Sequence, residues 1–596
     1  MLGYILRRLL QVIPVFFGAT LLIYFLVFAM PGDPILALFG DKTPNPAVIE
    51  QLREQYHLND PFLVQYWYYI TGVFQGDLGT TYSGRPVSTV LAATLPVTGR
   101  LAVMAIGIEF VLAIVIGTIS ALRKGKFFDN VSLMVALVAI AIPIFVVAFL
   151  AQYFLAIRLG WFKPTVGADN DWGGLWLPAI VLGFSLYAVS MRLMRSSVID
   201  TLNQDWVRTA YGKGLSRNRV LPVHVLRNSL IPVITNSATN FGVLLVGATV
   251  TEGIFNVPGV GNTLFEAIRR GEGPTVVSFV TVFVILYVLK HFVAPVETES
   301  INVDAVRISD KPSNLWRDAW RDVRRRPLFW FSVVLAVVFL LMAVWPTLFT
   351  STPPNSDCQL SNSNGGPTEG HPLGFTFQGC DIYARIVWGS QTSLAVGLIA
   401  TVISSILGLI MGALAGFYGG WLDSVLSRVG DIFFAIPYIL AAVVVMTVLK
   451  DARSVWTLAL AIGGFAWAST ARVVRAEILR VRQADFVMAS RALGQSKFRV
   501  LLSHVVPNAI APLLVVSTLG LAAAIVAEST LSFLGVGLGS EVMSWGNDIA
   551  RAQASLRVAP MSLIYPALAL TLAVLAFVTL GELIRDALDP KARARR

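Results

Sequence analysis

Residues 192–232, RLMRSSVIDTLNQDWVRTAYGKGLSRNRVLPVHVLRNSLIP, and residues 472–512, RVVRAEILRVRQADFVMASRALGQSKFRVLLSHVVPNAIAP, superimpose without a gap at a shift of 280. Arg192, Arg195, Asp205, Val207, Gly214, Ser216, Arg219, Val220, Leu221, His224, Val225, Asn228 and Pro232 meet Arg472, Arg475, Asp485, Val487, Gly494, Ser496, Arg499, Val500, Leu501, His504, Val505, Asn508 and Pro512. That is thirteen identities over 41 positions in one register, hard to obtain by chance. Further on, at a shift of 276, Glu252 meets Glu528 and Gly259-Val260-Gly261 meets Gly535-Val536-Gly537. Each stretch reads as a short helix (about 203–212 and 483–492), a glycine turn at Gly214 or Gly494, and a second helix carrying Arg219 or Arg499. A solvated loop needs only polarity. One that inserts into a groove on a soluble partner needs a shape, and the register of glycine and asparagine argues for docking.

The flanking sequence places both loops at a membrane. Of 596 residues, 55% are apolar and 14% charged, against about 25% charged in soluble proteins. Twelve apolar stretches are long enough to span a bilayer: about 9–30, 101–122, 131–157, 174–191, 231–251 and 275–292, then 329–349, 392–416, 429–449, 455–471, 510–530 and 562–583. Six spans separate corresponding points, an even number, so the two loops share one side and the halves are parallel repeats. Arg7-Arg8 precede the first span, which has no small-residue cleavage site and reads as retained. Arg123, Lys124 and Lys126, and the basic segment 191–230, share its side, whereas loop 31–97 carries six acids against three bases. Basic residues mark the cytoplasmic side, so both termini are expected inside. The excess of Lys plus Arg (46) over Asp plus Glu (35) is then a topological signal and not one of nucleic acid. Residues 1–296 form a first half with the long external loop 31–97; 297–326 form a cytoplasmic linker, whose Trp316–Arg321 run suggests an interfacial amphipathic helix; 327–596 form a second half with the external loop 350–390. Cys358 and Cys380 lie in that last loop, in an oxidising compartment, and are expected to pair; with His371 they lack the tight spacing of a metal site.

At the matched loops the chain resembles a known family. Arg208-Thr209-Ala210-Tyr211-Gly212-Lys213-Gly214 and Met488-Ala489-Ser490-Arg491-Ala492-Leu493-Gly494 look like the coupling-helix signature of ABC importer permeases, Glu-Ala-Ala followed by Gly, in the dipeptide/oligopeptide/nickel branch. Tyr4-Ile5-Leu6-Arg7-Arg8, Pro31-Gly32-Asp33-Pro34, Gly76-Asp77-Leu78-Gly79 and Pro258-Gly259-Val260-Gly261 resemble the first permease of such systems. His371-Pro372-Leu373-Gly374 and Leu531-Ser532-Phe533-Leu534-Gly535-Val536-Gly537 resemble the second. Arg208 and Met488 replace the signature glutamate, and Gly379-Cys380-Asp381 stands where second permeases often have Gly-Arg-Asp, which favours the disulfide. The resemblance implies an all-α polytopic fold of twelve transmembrane helices in two parallel six-helix repeats, as in type I importers, with first and second permeases fused. It implies a pathway between the halves and a site in the bacterial cytoplasmic membrane. It also implies two ABC ATPase subunits or one fused ATPase inside, carrying ATP and Mg, and an extracytoplasmic substrate-binding protein outside. Asp205, Arg208, Ala210, Gly214, Arg219, Asp485, Ala489, Gly494 and Arg499 would couple to the ATPase, loops acting as levers that open the pathway outward when ATP binds. The cargo implied is a dipeptide or oligopeptide, with nickel, glutathione, opines and oligosaccharides as alternatives.

The rest of the chain narrows the function. None of its ten lysines sits in Gly-x-x-x-x-Gly-Lys-Ser/Thr, so the motor is expected on another polypeptide and no cofactor on this one. No His-Glu-x-x-His and no Gly-x-Ser-x-Gly point to an embedded hydrolase. An ion-coupled secondary transporter also uses twelve spans in parallel halves, but needs no ATPase. Glu109 lies inside a span, where charge is costly. It either lines the pathway, meeting a cationic amine, or packs helices as a hydrogen-bonded group. Glu252 and Glu528, at outer span ends before glycine-rich turns, read as caps or gates.

Overall fold

A computed structural model describes residues 2–28, 45–167, 171–293, 315–355, 358–539 and 541–588. The Pro31–Pro34 motif, Asp33 and Asp41, most of the linker 297–326 and the C-terminal eight residues lie outside them.

The described helices are α1 (Leu2–Phe28), α2 (Pro46–Gln55), α3 (Phe62–Phe74), α4 (Val87–Leu122), α5 (Phe127–Ala141), α6 (Ile144–Ala151), α7 (Trp176–Leu202), α8 (Asp205–Gly212), α9 (Arg217–Val220), α10 (Arg227–Gly247), α11 (Thr249–Phe255), α12 (Val260–Arg269) and α13 (Gly273–Val293). They continue as α14 (Leu315–Val323), α15 (Pro327–Val344), α16 (Ile382–Tyr418), α17 (Gly420–Ala435), α18 (Tyr438–Val448), α19 (Val455–Val481), α20 (Asp485–Ala492), α21 (Lys497–Val500), α22 (Val506–Phe533), α23 (Trp545–Ala552) and α24 (Met561–Leu588). In a bilayer the backbone must satisfy its own hydrogen bonds, and these apolar runs do so as helices. Among the described residues, eight helices are long and apolar enough to cross, and two bent pairs add two more spans. α10 and α13 lie where the sequence expects the other two of twelve spans, and α13 holds a shorter apolar run, Gly273–Val288.

The bent pairs correct a sequence expectation. The stretches 131–157 and 429–449 read as uninterrupted spans, but α5 and α6 meet at 104° and α17 and α18 at 76°. Pro143 and Pro437 cause both breaks. Proline lacks an N–H and bars its predecessor from helical geometry, and Ile142 (ψ 119°) and Ile436 (ψ 123°) are extended. At a shift of 294, Gly125, Asp129 and Ala141-Ile142-Pro143 meet Gly419, Asp423 and Ala435-Ile436-Pro437. The repeat therefore includes the break.

By packing, the chain divides into residues 67–279 and a second unit of 1–66 with 280–596. Within the first, α4 lies on α7, where Gly117 and Gly183 let backbones approach: a Cβ at Gly183 would stand 2.9 Å from the Ala105 carbonyl. In the second, α16 and α19 repeat that contact through Gly408, Gly412, Gly416 and Gly463, and a Cβ at Gly412 would meet the Ala471 carbonyl at 2.6 Å. Small residues every fourth position are how membrane helices pack closely. Gly412→Leu is expected to lower the melting temperature of the detergent-solubilised chain, since overpacking costs about 1–3 kcal/mol. An unchanged transition would refute the close contact. Helix α1 belongs to this second unit and packs on α17 and α18, Gly18 facing Ile432. The short helix α14 lays Ala319 and Val323 against Leu583 and Ala587, and Arg326 bridges Asp322 (2.6 Å) and Asp586 (3.7 Å).

Candidate coupling site

Each matched loop is a short helix, a left-handed turn, one further helical turn and a π-type turn that runs into a long apolar helix. Gly214 (φ 80°) and Gly494 (φ 81°) occupy the turn. The Gly214 N–H donates to Tyr211 O at 2.9 Å and that of Leu215 to Ala210 O at 3.3 Å; Gly494 and Gln495 repeat this with Arg491 O and Ser490 O. This is the glycine-terminated helix end, which few other residues adopt without strain. The π-type turns Leu221–Leu226 and Leu501–Val505 follow. There Asn228 Nδ2 donates to His224 O (2.9 Å) and Asn508 Nδ2 to His504 O (2.6 Å), so the repeated asparagine ties the turn to the helix it opens.

The inner face of each loop is packed and the outer face open. Val207, Ala210, Val220 and Val225 are buried with Met191, Met194 and Val198. Val487, Val500, Leu501 and Val505 are buried with Val474, Ile478 and Val481. Each loop is thereby seated on the long helix that precedes it. Outside stand Asp205, Arg208, Arg219, Asp485, Ala489 and Arg499, all exposed. Asp205 and Arg208 approach to 3.5 Å, a solvated pair of little energetic weight; Met488 stands in the corresponding place of Arg208. Ala210 (6% exposed) and Ala489 differ in role: the register partner of Ala210 is Ser490, also 6% exposed. Sequence reasoning passed over Trp206 and Phe486, 42% and 48% exposed, although an aromatic follows the aspartate in both loops. Exposed aromatics at the rim of a packed loop are typical anchors for a protein partner.

Two further repeated residues connect the loops to the bent spans. Arg195, on α7, grips Asp129 at the start of α5 through Nε–Oδ1 (2.6 Å) and Nη2–Oδ2 (2.7 Å). Arg475, on α19, grips Asp423 at the start of α17 at 2.5 and 2.7 Å. Both pairs are bidentate, the strong geometry for arginine and carboxylate. Asp129 also accepts from Ser120 Oγ (2.5 Å) and Gly125 N (2.8 Å), and Asp423 from Ser427 Oγ (3.2 Å). The helix that carries each loop is thus tied to the helix that ends in the Ala-Ile-Pro break. The signal was in the sequence, but at a shift of 294 and not 280.

The three glutamates are fully buried. Glu252 accepts from Thr98 Oγ1 (2.6 Å) and the backbone N–H of Asn262 (3.0 Å), which fastens the N-terminus of α12. Glu528 accepts from Ser532 (2.9 Å) and Ser529 (3.1 Å) and bonds Ser393 and Ser544; Ser544 caps α23. A carboxylate held at a helix N-terminus is the expected cap. A Cβ at Gly261 would fall 2.5 Å from Thr249 Cα, and one at Gly537 would fall 2.6 Å from Ser532 Cα, so both Gly-Val-Gly turns lie tight against these glutamate-bearing segments. Glu109 joins α4 to α7 and α10 through Ser190, Ser237 (3.3 Å) and Asn240 (3.1 Å). Cys358 and Cys380 are disulfide-bonded, with Cα atoms 4.2 Å apart. Beside that loop, buried Arg385 donates to Asp548 (Nε–Oδ1 2.9 Å) and Asn355 (2.9 Å), below a cavity of about 340 Å³ that Glu541 and Arg551 also line. Among the described residues no group of three or more His, Cys, Asp or Glu could hold a metal ion.

A helical chain with eight or more spans and two matched loops, each on a helix tied to a broken span, has the build of a multi-pass membrane protein made of two repeats. The model for the binding-protein-dependent transport system inner membrane component matches residues 113–295 and 404–594, well over half of the chain, and the chain belongs to that family. The N-terminal domain model of such components matches 1–93, and that of the N-terminal TM domain of oligopeptide transport permease C matches 314–367. Two permease domains are fused in tandem. Residues of this chain are 36% identical, over 303 positions, to the glutathione transport system permease protein GsiC of Salmonella choleraesuis (strain SC-B67) and of Salmonella typhi. The match to GsiC of Escherichia coli (strain K12) is 35%. Each covers 51% of this chain and 98% of the relative. Permeases of this family work with ABC ATPases and a substrate-binding protein in the inner membrane.

Proposed function

We propose that the chain forms the membrane pathway of an ATP-driven importer of short peptides. Two ATPase subunits or one fused ATPase, carrying ATP and Mg, dock on the loops around Gly214 and Gly494. Both termini lie on that cytoplasmic side. A substrate-binding protein delivers cargo to the opposite face, and ATP hydrolysis takes place on the docked subunits. The observation that carries this reading is the repeated linkage: a rigidly seated loop, an arginine on its helix, and a bidentate grip on a broken span. Peptide cargo is supported by the match to oligopeptide permease C in the second half. Glutathione is itself a tripeptide, and the likeness of one half to GsiC makes it the second reading. Cells lacking the chain and cells with it restored should be compared for uptake of labelled dipeptides, tripeptides, glutathione and nickel. Restored peptide uptake that needs ATP and survives collapse of ion gradients is expected; restoration of nickel alone would reassign the cargo.

A further inference from the structure

Helix α10 carries Thr235, Asn236, Ser237, Thr239 and Asn240 in an otherwise apolar stretch, whereas the register-matched residues of α22 are Val515, Val516, Ser517, Leu519 and Gly520. A span needs no such polarity, and asparagine is costly at membrane depth unless it meets protein or water. Asn236 and Asn240, one turn apart, lie on one face. Asn236 Nδ2 donates to Ser190 Oγ (2.8 Å) and Asn240 Nδ2 to Glu109 Oε1 (3.1 Å), while Ser190 and Ser237 donate to the same Glu109 oxygen. Glu109 and Ser190 are fully buried. The buried carboxyl therefore draws both amide nitrogens inward. In a planar amide this leaves the two oxygens on the edge away from those contacts; Asn236 and Asn240 are part-exposed, and Thr235 and Thr239 on the same helix are exposed. Glu109 Oε2 is buried without a protein partner, and a buried polar atom of that kind calls for an explanation.

We propose that Asn236, Asn240, Thr235 and Thr239 form a strip of hydrogen-bond acceptors that takes the N–H and ammonium groups of peptide cargo in transit, and that Glu109 is the positioning residue that sets the asparagine amides. This rests on the peptide-import reading above. Acceptors distinguish a peptide from its N-methylated analogue, which lacks the backbone N–H, and the second half's residues at these positions do not. The full chain, with its ATPase and binding protein, should be assayed for uptake of a labelled tripeptide and its backbone N-methylated analogue. In Asn236→Val/Asn240→Ala, tripeptide uptake is expected to fall about tenfold, since each lost hydrogen bond costs a few-fold. The preference for the unmethylated peptide should shrink in the same variant, with ATPase stimulation by loaded binding protein retained. Glu109→Leu should move the same preference. Asn236→Thr/Asn240→Thr keeps acceptors and should keep most of the uptake, which guards against a folding defect. An unaltered preference and uptake in both the Val/Ala and the Leu variants, with peptide import intact in the parent, would overturn the strip alone. A parent that imports no peptide would overturn the peptide reading and the strip together.

Discussion

Valine at both Gly214 and Gly494 is expected to cut uptake at least about 100-fold while the amount of chain in the membrane stays unchanged. The argument is one of backbone. Beyond each glycine and its chain neighbours, no atom lies within 4 Å of where a Cβ would stand, and φ is 80° and 81°, so the added side chain meets no wall. It meets only its own backbone, at about 1–2 kcal/mol for an ordinary residue and more for a β-branched one. The relief open to each turn is to leave the left-handed region. That breaks the paired bonds from residues 214–215 and 494–495 and re-aims the exposed helices, with Trp206 and Phe486 on them. About 1.4 kcal/mol of docking lost per loop multiplies to about 100-fold. The spans carry insertion, so surface labelling and yield should not change. Uptake at the parental rate by this double variant would refute the loops as levers.

Cutting the arginine grips should separate ATP hydrolysis from transport, and the two halves should respond unequally. Asp129 is 1% exposed and Arg195 20%; Asp423 is 21% and Arg475 35%. Removing one member of a buried pair leaves a charge with no partner and costs about 3–5 kcal/mol, far more than an exposed pair. Asp129→Ala is therefore expected to be the more damaging, with ATPase activity continuing and peptide moved per ATP falling at least about tenfold; Asp423→Ala should show the same uncoupling in milder form. Exchange of charges adds a sharper test. Asp423→Arg with Arg475→Asp should recover part of the coupling, because among the described residues Ser427 is the one side chain besides Arg475 that donates to Asp423. Asp129→Arg with Arg195→Asp should recover none, because Ser120 and the Gly125 N–H are donors fixed at position 129. Equal transport per ATP in all four variants, or full rescue at both sites, would contradict a linkage through these pairs.

What could be read from sequence followed the kind of force at each place. The matched loops were legible because the left-handed turn constrains Gly214, the bond to the His224 carbonyl constrains Asn228, and their counterparts are held alike, in a register free of insertions. Span positions were legible as apolar length. The breaks at Pro143 and Pro437 were not, since apolar residues continue on both sides and hydropathy does not register a missing N–H. The Asp129 and Asp423 partners of Arg195 and Arg475 needed a third register, 294, in a region where the halves differ in loop length. Nor does apolarity name a neighbour, which is why the packing of α1 on α17 and α18 emerges only from the structure. The cluster around Glu109 joins residues 81 to 131 positions apart; its span position was legible, but its partners were not. The roles of Ala210 and Ala489 differ because helix phase, and not composition, decides which side chain faces the core.

The most direct test of the account is uptake of a labelled tripeptide by proteoliposomes that contain the chain and its ATPase, with ATP and Mg on the side of the loops and loaded binding protein on the other. Accumulation that requires ATP, persists with ionophores present and is lost in the double glycine variant is the predicted result. Accumulation driven by an ion gradient with no ATPase present would contradict it.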